Sequence, residues 1–162
     1  MTDAPAGSVA KVAELAKDIH IGMLTTMDAE GRHISRPMAQ QEVEFDGDLW
    51  MFSARNSRKV EQITANPAVN VTLTSNDTWI SIHGTAKVVD DVAKKKELWN
   101  GFVDAWFENG PEDPAVVLLK IEAEGAEYWD TPGGRIATVL SFAKARLTGQ
   151  PYEGGENETV RL

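Results

Sequence analysis

The feature that most constrains the fold is a succession of short β-prone segments that are joined by turn residues, with helical periodicity at only a few places. Regular alternation of strands and helices would instead indicate a parallel βαβ fold. The pattern predicts about seven strands, most of them connected as hairpins. The candidate segments are residues 21–27, 32–38, 43–45, 49–52, 68–75, 79–89, 115–123 and 126–130.

Turn residues, together with one proline and one glycine within the strands, refine this prediction. Residues 28–31 and the pair Asp46-Gly47 favour tight turns, so the strands up to residue 52 are predicted to form an antiparallel meander. Pro37 is typical of an edge strand or a bulge, and Gly84 within a long strand indicates a bulge or a close backbone approach. We therefore expect a small antiparallel β-barrel with helices packed on it, class α+β.

Helical spacing of apolar residues occurs at four places. Ser8 is placed to cap a first helix that ends near His20, and Ser57 is placed to cap a short helix over residues 58–65. Two further helices are predicted over residues 92–107, which are rich in Trp and Phe, and over residues 135–147.

The two ends of the chain differ from the region between them. Residues 1–7 have the character of a disordered lead, and residues 150–162 that of an acidic, flexible tail. We therefore expect one domain, over residues 8–149.

Composition excludes several classes of protein. The 162 residues include 16 Lys and Arg, 25 Asp and Glu and no Cys, and the formal net charge is −9. A chain without cysteine has neither disulfides nor thiolate metal sites, which fits a cytoplasmic location. The acidic balance argues against nucleic acid or an anionic membrane as a partner. No apolar run approaches the roughly 18 residues of a membrane helix, and residues 1–7 lack the features of a signal peptide.

The sequence contains none of the common motifs for nucleotide binding, zinc hydrolysis or serine hydrolysis. Its three histidines lie far apart, in different predicted elements, so no metal site is predicted.

One basic segment is unusual in so acidic a chain. Residues 53–59, Ser-Ala-Arg-Asn-Ser-Arg-Lys, lie between a predicted strand and a predicted helix. The N-terminus of a helix presents unpaired N–H groups and a partial positive charge, so it binds phosphate well. Arg58 and Lys59 oppose that partial charge unless an anion is bound. The segment is therefore either a phosphate site, to which Arg55 and Arg36 add donors, or an ordinary cationic surface loop.

A strand followed by Ser-x-x-x-Ser-Arg-Lys and a helix resembles the phosphate-binding loop of the pyridoxamine 5′-phosphate oxidase-like, FMN-binding split-barrel superfamily. Three further segments are similar to segments of this superfamily, and the last of them resembles its general stress protein branch. They are the first hairpin over residues 23–38, the glycine-containing strand over residues 80–87 and the closing strand Glu127-Tyr-Trp-Asp130 with Pro132-Gly. The resemblance implies a split barrel of about six to eight strands and a homodimer with FMN sites at the subunit interface.

The resemblance also implies roles for particular residues. The FMN phosphate would be held by Ser57, Arg58 and Lys59, and Arg36 would reach the phosphate or the ribityl chain. The isoalloxazine would lie along Pro37 and Met38, with the backbone of Met51, Phe52 and Ser53 at its edge. Gln62 and Trp129 would complete the pocket, with Trp129 contributed either by the same subunit or by its partner.

The resemblance leaves the activity open among three classes of protein. One reading is an FMN-dependent oxidoreductase that acts on a small molecule, in which the flavin carries the chemistry and no catalytic side chain is required. The alternatives are a flavin-binding stress protein without turnover and a reductase that uses the deazaflavin F420. The acidic C-terminal residues differ from the basic, aromatic end of true pyridoxamine phosphate oxidases, which argues against vitamin B6 oxidation.

Overall fold

The structure is a computed structural model, which describes residues 7–41, 45–131 and 155–162. The described chain forms seven strands and four helices. In chain order they are α1 (Val9–Ala16), β1 (Ile21–Met27), β2 (His33–Ala39), β3 (Asp48–Ala54), α2 (Arg58–Ala65), β4 (Ala68–Thr74), β5 (Thr78–Val89), α3 (Val92–Leu98), α4 (Gly101–Trp106), β6 (Val116–Asp130) and β7 (Glu156–Arg161). The predicted helix over residues 135–147 lies outside the described residues.

All strand pairs are antiparallel, in the order β2-β1-β4-β5-β6-β3, and β7 also pairs with β6. The two edge strands approach each other where the N–H of Gln41 donates to the carbonyl of Trp50, at 2.9 Å. No ladder joins β2 to β3 within the described part of the chain. The sheet therefore curls into a barrel that is split between β2 and β3, and the predicted α+β split barrel is confirmed.

Alternating side chains of the sheet fill the barrel interior. Along β5, Ile80, Ile82 and Ala86 are buried while Trp79 and His83 are exposed. Helix α1 covers one opening and contributes the buried Val12 and Ala16 to the core. This alternation creates an inner apolar face and an outer face.

The predicted irregularity at Gly84 is confirmed. The register between β5 and β6 shifts between His83 and Gly84. A Cβ atom at Gly84 would lie 2.0 Å from the carbonyl oxygen of Glu122, so only glycine fits there. The turn over residues 28–31 and the edge position of Pro37 on β2 are confirmed as well.

The predicted meander is wrong in its third strand. β3 pairs with β6 rather than with β2, although Gly47 adopts the positive φ that a tight turn requires. Pairing with β6 buries Met51, Phe52 and Ser53, and this burial, rather than the local turn, determines where the strand lies. The predicted strand over residues 43–45 lies almost entirely outside the described residues.

Three other elements differ from prediction. The helix over residues 92–107 divides into α3 and α4, because Trp99 is extended and Asn100 caps α4 through the N–H groups of Phe102 and Val103. Residues 115–130 form one strand, β6, rather than two. The first helix ends at Ala16 rather than near His20.

The prediction of a flexible tail is wrong for its last residues. β7 pairs with β6 from Gly125 to Asp130, and Val160 is buried in the core. At the other end of the chain, Gly7 of the predicted lead donates its N–H to the hydroxyl of Tyr128, at 3.0 Å. Residues 1–6 lie outside the described residues.

Candidate functional site

A cavity of about 490 Å³ lies at the split of the barrel. β2 and β3 form two of its walls, α4 forms a third, and Lys59 of α2 adds a charged group. The lining residues are Ile21, Pro37, Met38, Ala39, Gln41, Phe52, Ser53, Ala54, Lys59, Phe102, Val103, Trp106 and Phe107. Most of this surface is apolar and aromatic, which suits a flat organic group.

Three cations that have no carboxylate partner in the described part of the chain converge beside this cavity. They are Arg36 on β2 and Arg58 and Lys59 in the first turn of α2. Burial, and then the charge of Arg58, lowers the pKa of Arg36. Burial, and then the charge of Arg36, lowers the pKa of Lys59. An anion bound among them would relieve this repulsion.

Arg36 is held rigidly by its neighbours. Its Nη1 donates to the carbonyl of Leu24 at 3.2 Å and to Oγ1 of Thr26 at 2.7 Å, and its Nη2 donates to Oε1 of Gln62 at 3.0 Å. The hydroxyl of Thr26 in turn donates to the same Gln62 oxygen, at 2.6 Å. A guanidinium has five N–H donors. Nε–H and one N–H of Nη2 therefore have no acceptor among the described residues, and this pair can donate to two oxygens of an anion.

The start of α2 adds further donors. Ser57 occupies the N-cap position, as predicted, but its side chain makes no capping bond and lies 3.1 Å from the hydroxyl of Ser53. The backbone N–H groups of Arg58 and Lys59 belong to the first helical turn, where the helix supplies no acceptor. Neither side chain makes a hydrogen bond or an ion pair with any described residue. The helix end can therefore receive an anion.

The structure brings most of the predicted site residues together. Pro37, Met38, Phe52, Ser53 and Lys59 line the cavity. The cations Arg36 and Arg58 adjoin it, Ser57 contacts Ser53, and Gln62 orients Arg36.

Met51 and Trp129 do not line the cavity. The side chain of Met51 points into the core, and the resemblance gave a role only to its backbone. Trp129 lies on the outer face of the sheet, opposite Trp79. Arg55, the third cation of the basic segment, turns away from the cluster and pairs with Asp90.

Sequence reasoning missed two parts of the site. Thr26 is buried and joins Arg36 to Gln62, and its position on the inward side of a half-buried strand was the only available signal. The aromatic residues of α4 were noted for their apolar character, but nothing local indicated that Phe102 and Trp106 would line this cavity. Trp106 is 72% exposed and Phe102 is 53% exposed.

The described residues contain no group of three or more His, Asp or Glu side chains that could hold a metal ion. In the same part of the chain, no helix has the length and the apolar character needed to cross a membrane. The side chains that line and adjoin the cavity offer anion binding at one end and contact with a flat apolar group along the rest.

The sequence profile of the family described as pyridoxamine 5′-phosphate oxidase like matches residues 7–153. The chain is 29% identical over 141 residues to Protein bli-3 of Neurospora crassa. The matched region covers 80% of this chain and 68% of that protein.

Solved structures show the same fold. A protein from Jannaschia sp. CCS1, provisionally described as general stress protein 26, has a TM-score of 0.76 at 28% identity, covering 92% of this chain and 94% of that one. The general stress FMN/FAD binding protein from the phytopathogen Xanthomonas citri has a TM-score of 0.66 at 28% identity, covering 74% and 86%. General stress protein 26 from Bacillus anthracis has a TM-score of 0.64 at 28% identity, covering 71% and 88%.

Proposed function

Because the chain belongs to the pyridoxamine 5′-phosphate oxidase-like family, we propose that it binds FMN at the split of the barrel and acts as a flavin-dependent oxidoreductase on a small molecule. The name of the Xanthomonas citri relative, a general stress FMN/FAD binding protein, supports the choice of a flavin. The observation that carries the proposal is the group of uncompensated cations at one end of an apolar cavity.

The residues present fit a phosphorylated flavin on two counts. Arg36, Arg58 and Lys59 lack carboxylate partners among the described residues, in a chain whose net charge is −9. Helix N-termini and arginine forks are the groups that hold phosphate in proteins. The cavity beside them is lined by apolar and aromatic side chains, as a flat ring system requires.

The cationic region and the apolar region would bind different parts of the flavin. Ser57, Arg58, Lys59 and Arg36 would hold the phosphate end, and Pro37, Met38 and Phe52 would face the ring system. The bound flavin would supply hydride or electron transfer, and the protein supplies binding, orientation and electrostatics. Gln62 would contribute by fixing Arg36, whose Nη2 donates to its Oε1.

The proposed active form is a homodimer. Trp79 and Trp129 face each other across β5 and β6 on the outer face of the sheet, and both are exposed, as is Met23 on β1. Exposed large apolar side chains of this kind mark contact surfaces. In a dimer built on this face, Trp129 would lie at the subunit interface, where the resemblance places the FMN sites. A monomeric mass by light scattering of the flavin-loaded protein at micromolar concentration would contradict the dimer.

The absorption spectrum of the purified protein tests the cofactor directly. Flavin bands, together with release of FMN on denaturation, are expected, whereas the bands of F420 or a colourless protein that binds neither flavin would refute the assignment. Oxidation of NADPH or NADH by the loaded protein, with an electron acceptor, then tests turnover. A loaded protein that reduces no acceptor with either nucleotide would point to flavin storage or sensing instead.

A further inference from the structure

One lysine of α3 has no exposed surface, and it is connected through Asp90 to the loop between β3 and α2. Lys95 of α3 has a relative exposure of 0%. Its Nζ donates to the carbonyl of Val116 at 2.9 Å and to Oδ1 of Asp90 at 3.2 Å, and it lies 3.4 Å from the carbonyl of Asp113. A buried ammonium is costly unless all of its donors find acceptors. This arrangement supplies three acceptors, which come from the residue after β5, from the loop that precedes β6 and from the first residue of β6.

Asp90 connects this lysine to the basic segment. Its Oδ2 accepts a hydrogen bond from Nη2 of Arg55 while its Oδ1 accepts from Lys95. The hydrogen bond from Arg55 and then that from Lys95 hold the pKa of Asp90 below its ordinary value, so this carboxylate stays charged at neutral pH. One carboxylate thus bridges two cations that belong to different elements.

Arg55 is fastened at two further points. Its Nε donates to the carbonyl of Pro114 at 2.6 Å, and its backbone N–H donates to the carbonyl of Ala115 at 2.8 Å. Arg55 lies in the loop between β3 and α2, and in that loop the N–H of Ser57 bonds to the carbonyl of Ala54. The loop that begins α2 is therefore tied to the 113–116 segment on its outer side.

We propose that Asp90, Arg55 and Lys95 are positioning residues, which hold the β3–α2 loop so that Arg58 and Lys59 converge with Arg36 on the phosphate of the cofactor. This inference rests on the proposed function. It divides the three cations of the basic segment into two kinds, because Arg58 and Lys59 face the ligand while Arg55 anchors the loop. None of the three positioning residues lines the cavity.

The test compares FMN with riboflavin, which lacks the phosphate, by fluorescence titration of the full-length apoprotein. Asp90→Asn keeps the shape of the side chain, which is 46% exposed, and an oxygen that can accept from Lys95, while it removes the charge. We expect FMN affinity to fall by about tenfold, the size typical of residues that orient a ligand-binding group. Riboflavin affinity should stay within about twofold. The matched control is Lys96→Met, which breaks an ion pair of the same helix, with Glu112, away from the loop.

A double-mutant cycle separates positioning from general stability. Because Asp90 is proposed to position Lys59 as well as Arg58, Asp90→Asn should weaken FMN binding less in the Arg58→Ala background than in the wild-type protein. Additive losses, equal losses for both flavins or unchanged FMN affinity in Asp90→Asn would each overturn the inference. Should Asp90→Asn not fold, Arg55→Gln carries the same comparison. A failure of the proposed function would be distinguishable from a failure of this inference. In that case the wild-type protein itself would bind FMN no better than riboflavin.

Discussion

Replacement of Arg58 by alanine isolates the contribution of a single cation to the proposed phosphate site. The side chain is exposed and contacts no described residue through a hydrogen bond or an ion pair. Its removal should therefore change the free energy of unfolding by no more than about 0.5 kcal/mol, as for other surface substitutions. Because the charge of Arg58 lowers the pKa of Arg36, the apoprotein loses only a repulsion.

The effect on FMN should be large by comparison. A hydrogen bond to a charged group is worth roughly 1.5–3 kcal/mol, which corresponds to a rise of about 10- to 150-fold in the dissociation constant. Arg58→Lys should recover only part of this loss, because an ammonium cannot pair with two phosphate oxygens as a guanidinium does. Riboflavin has no phosphate, so its affinity should barely change.

Titration of the apoprotein with both flavins, followed by fluorescence quenching, measures the two affinities side by side. Arg32→Ala is the matched control, because Arg32 is an exposed arginine that pairs with Asp28 in the β1–β2 turn and is remote from the cavity in sequence and fold. Equal losses for FMN and riboflavin would show that Arg58 acts through the fold or the ring system. An FMN affinity that survives Arg58→Ala intact would remove the basic segment from the site.

Three further outcomes follow from particular contacts. Because burial and a neighbouring arginine lower the pKa of Lys59 from its ordinary 10.5, this cation loses its proton early as pH rises. FMN affinity should therefore decline on the alkaline side, below that value, and Lys59→Met should bind FMN weakly but without this decline, as titrations at a series of pH values will show. Gly84→Ala places a Cβ atom 2.0 Å from the backbone oxygen of Glu122, so unfolding in urea should reveal a loss of about 3 kcal/mol or more; a loss below about 1 kcal/mol would contradict the geometry. Val160→Ala should lower the unfolding free energy by about 1–3 kcal/mol, because Val160 is buried at 3% exposure, while the exposed Thr159→Ala should stay within about 0.5 kcal/mol of the wild-type protein.

Local features were predictable because their causes are local. The turn over residues 28–31 depends on glycine and on an aspartate that accepts backbone hydrogen bonds, and both are visible in the sequence. Gly84 could be interpreted in the same way, because a glycine within an apolar strand indicates a special backbone position. The helix over residues 58–65 begins after its cap and ends before Pro67, as its flanking residues predict.

The candidate site was predictable only in part. The basic segment was visible as a deviation from the acidic character of the chain, but its cations could not be sorted by sequence. Arg55 and Arg58 are separated by two residues and are chemically identical. The structure directs one toward Asp90 and leaves the other free of described partners, because Asp90 and Pro114 reach the loop only through the pairing of distant strands.

The sequence by itself determined the kinds of most elements, the turn over residues 28–31, the glycine at the bulge and the family to which the chain belongs. Only the tertiary structure decided which strands are neighbours. β3 pairs with β6 across more than sixty intervening positions rather than with the nearby β2, and β7 extends the sheet from a segment that has the composition of a tail. The physical reason is that hydrophobic burial is not directional and is shared among distant segments. A strand such as β7, with one buried valine, therefore gives no local signal of where it belongs, whereas a turn or a cap is stabilised by its own residues.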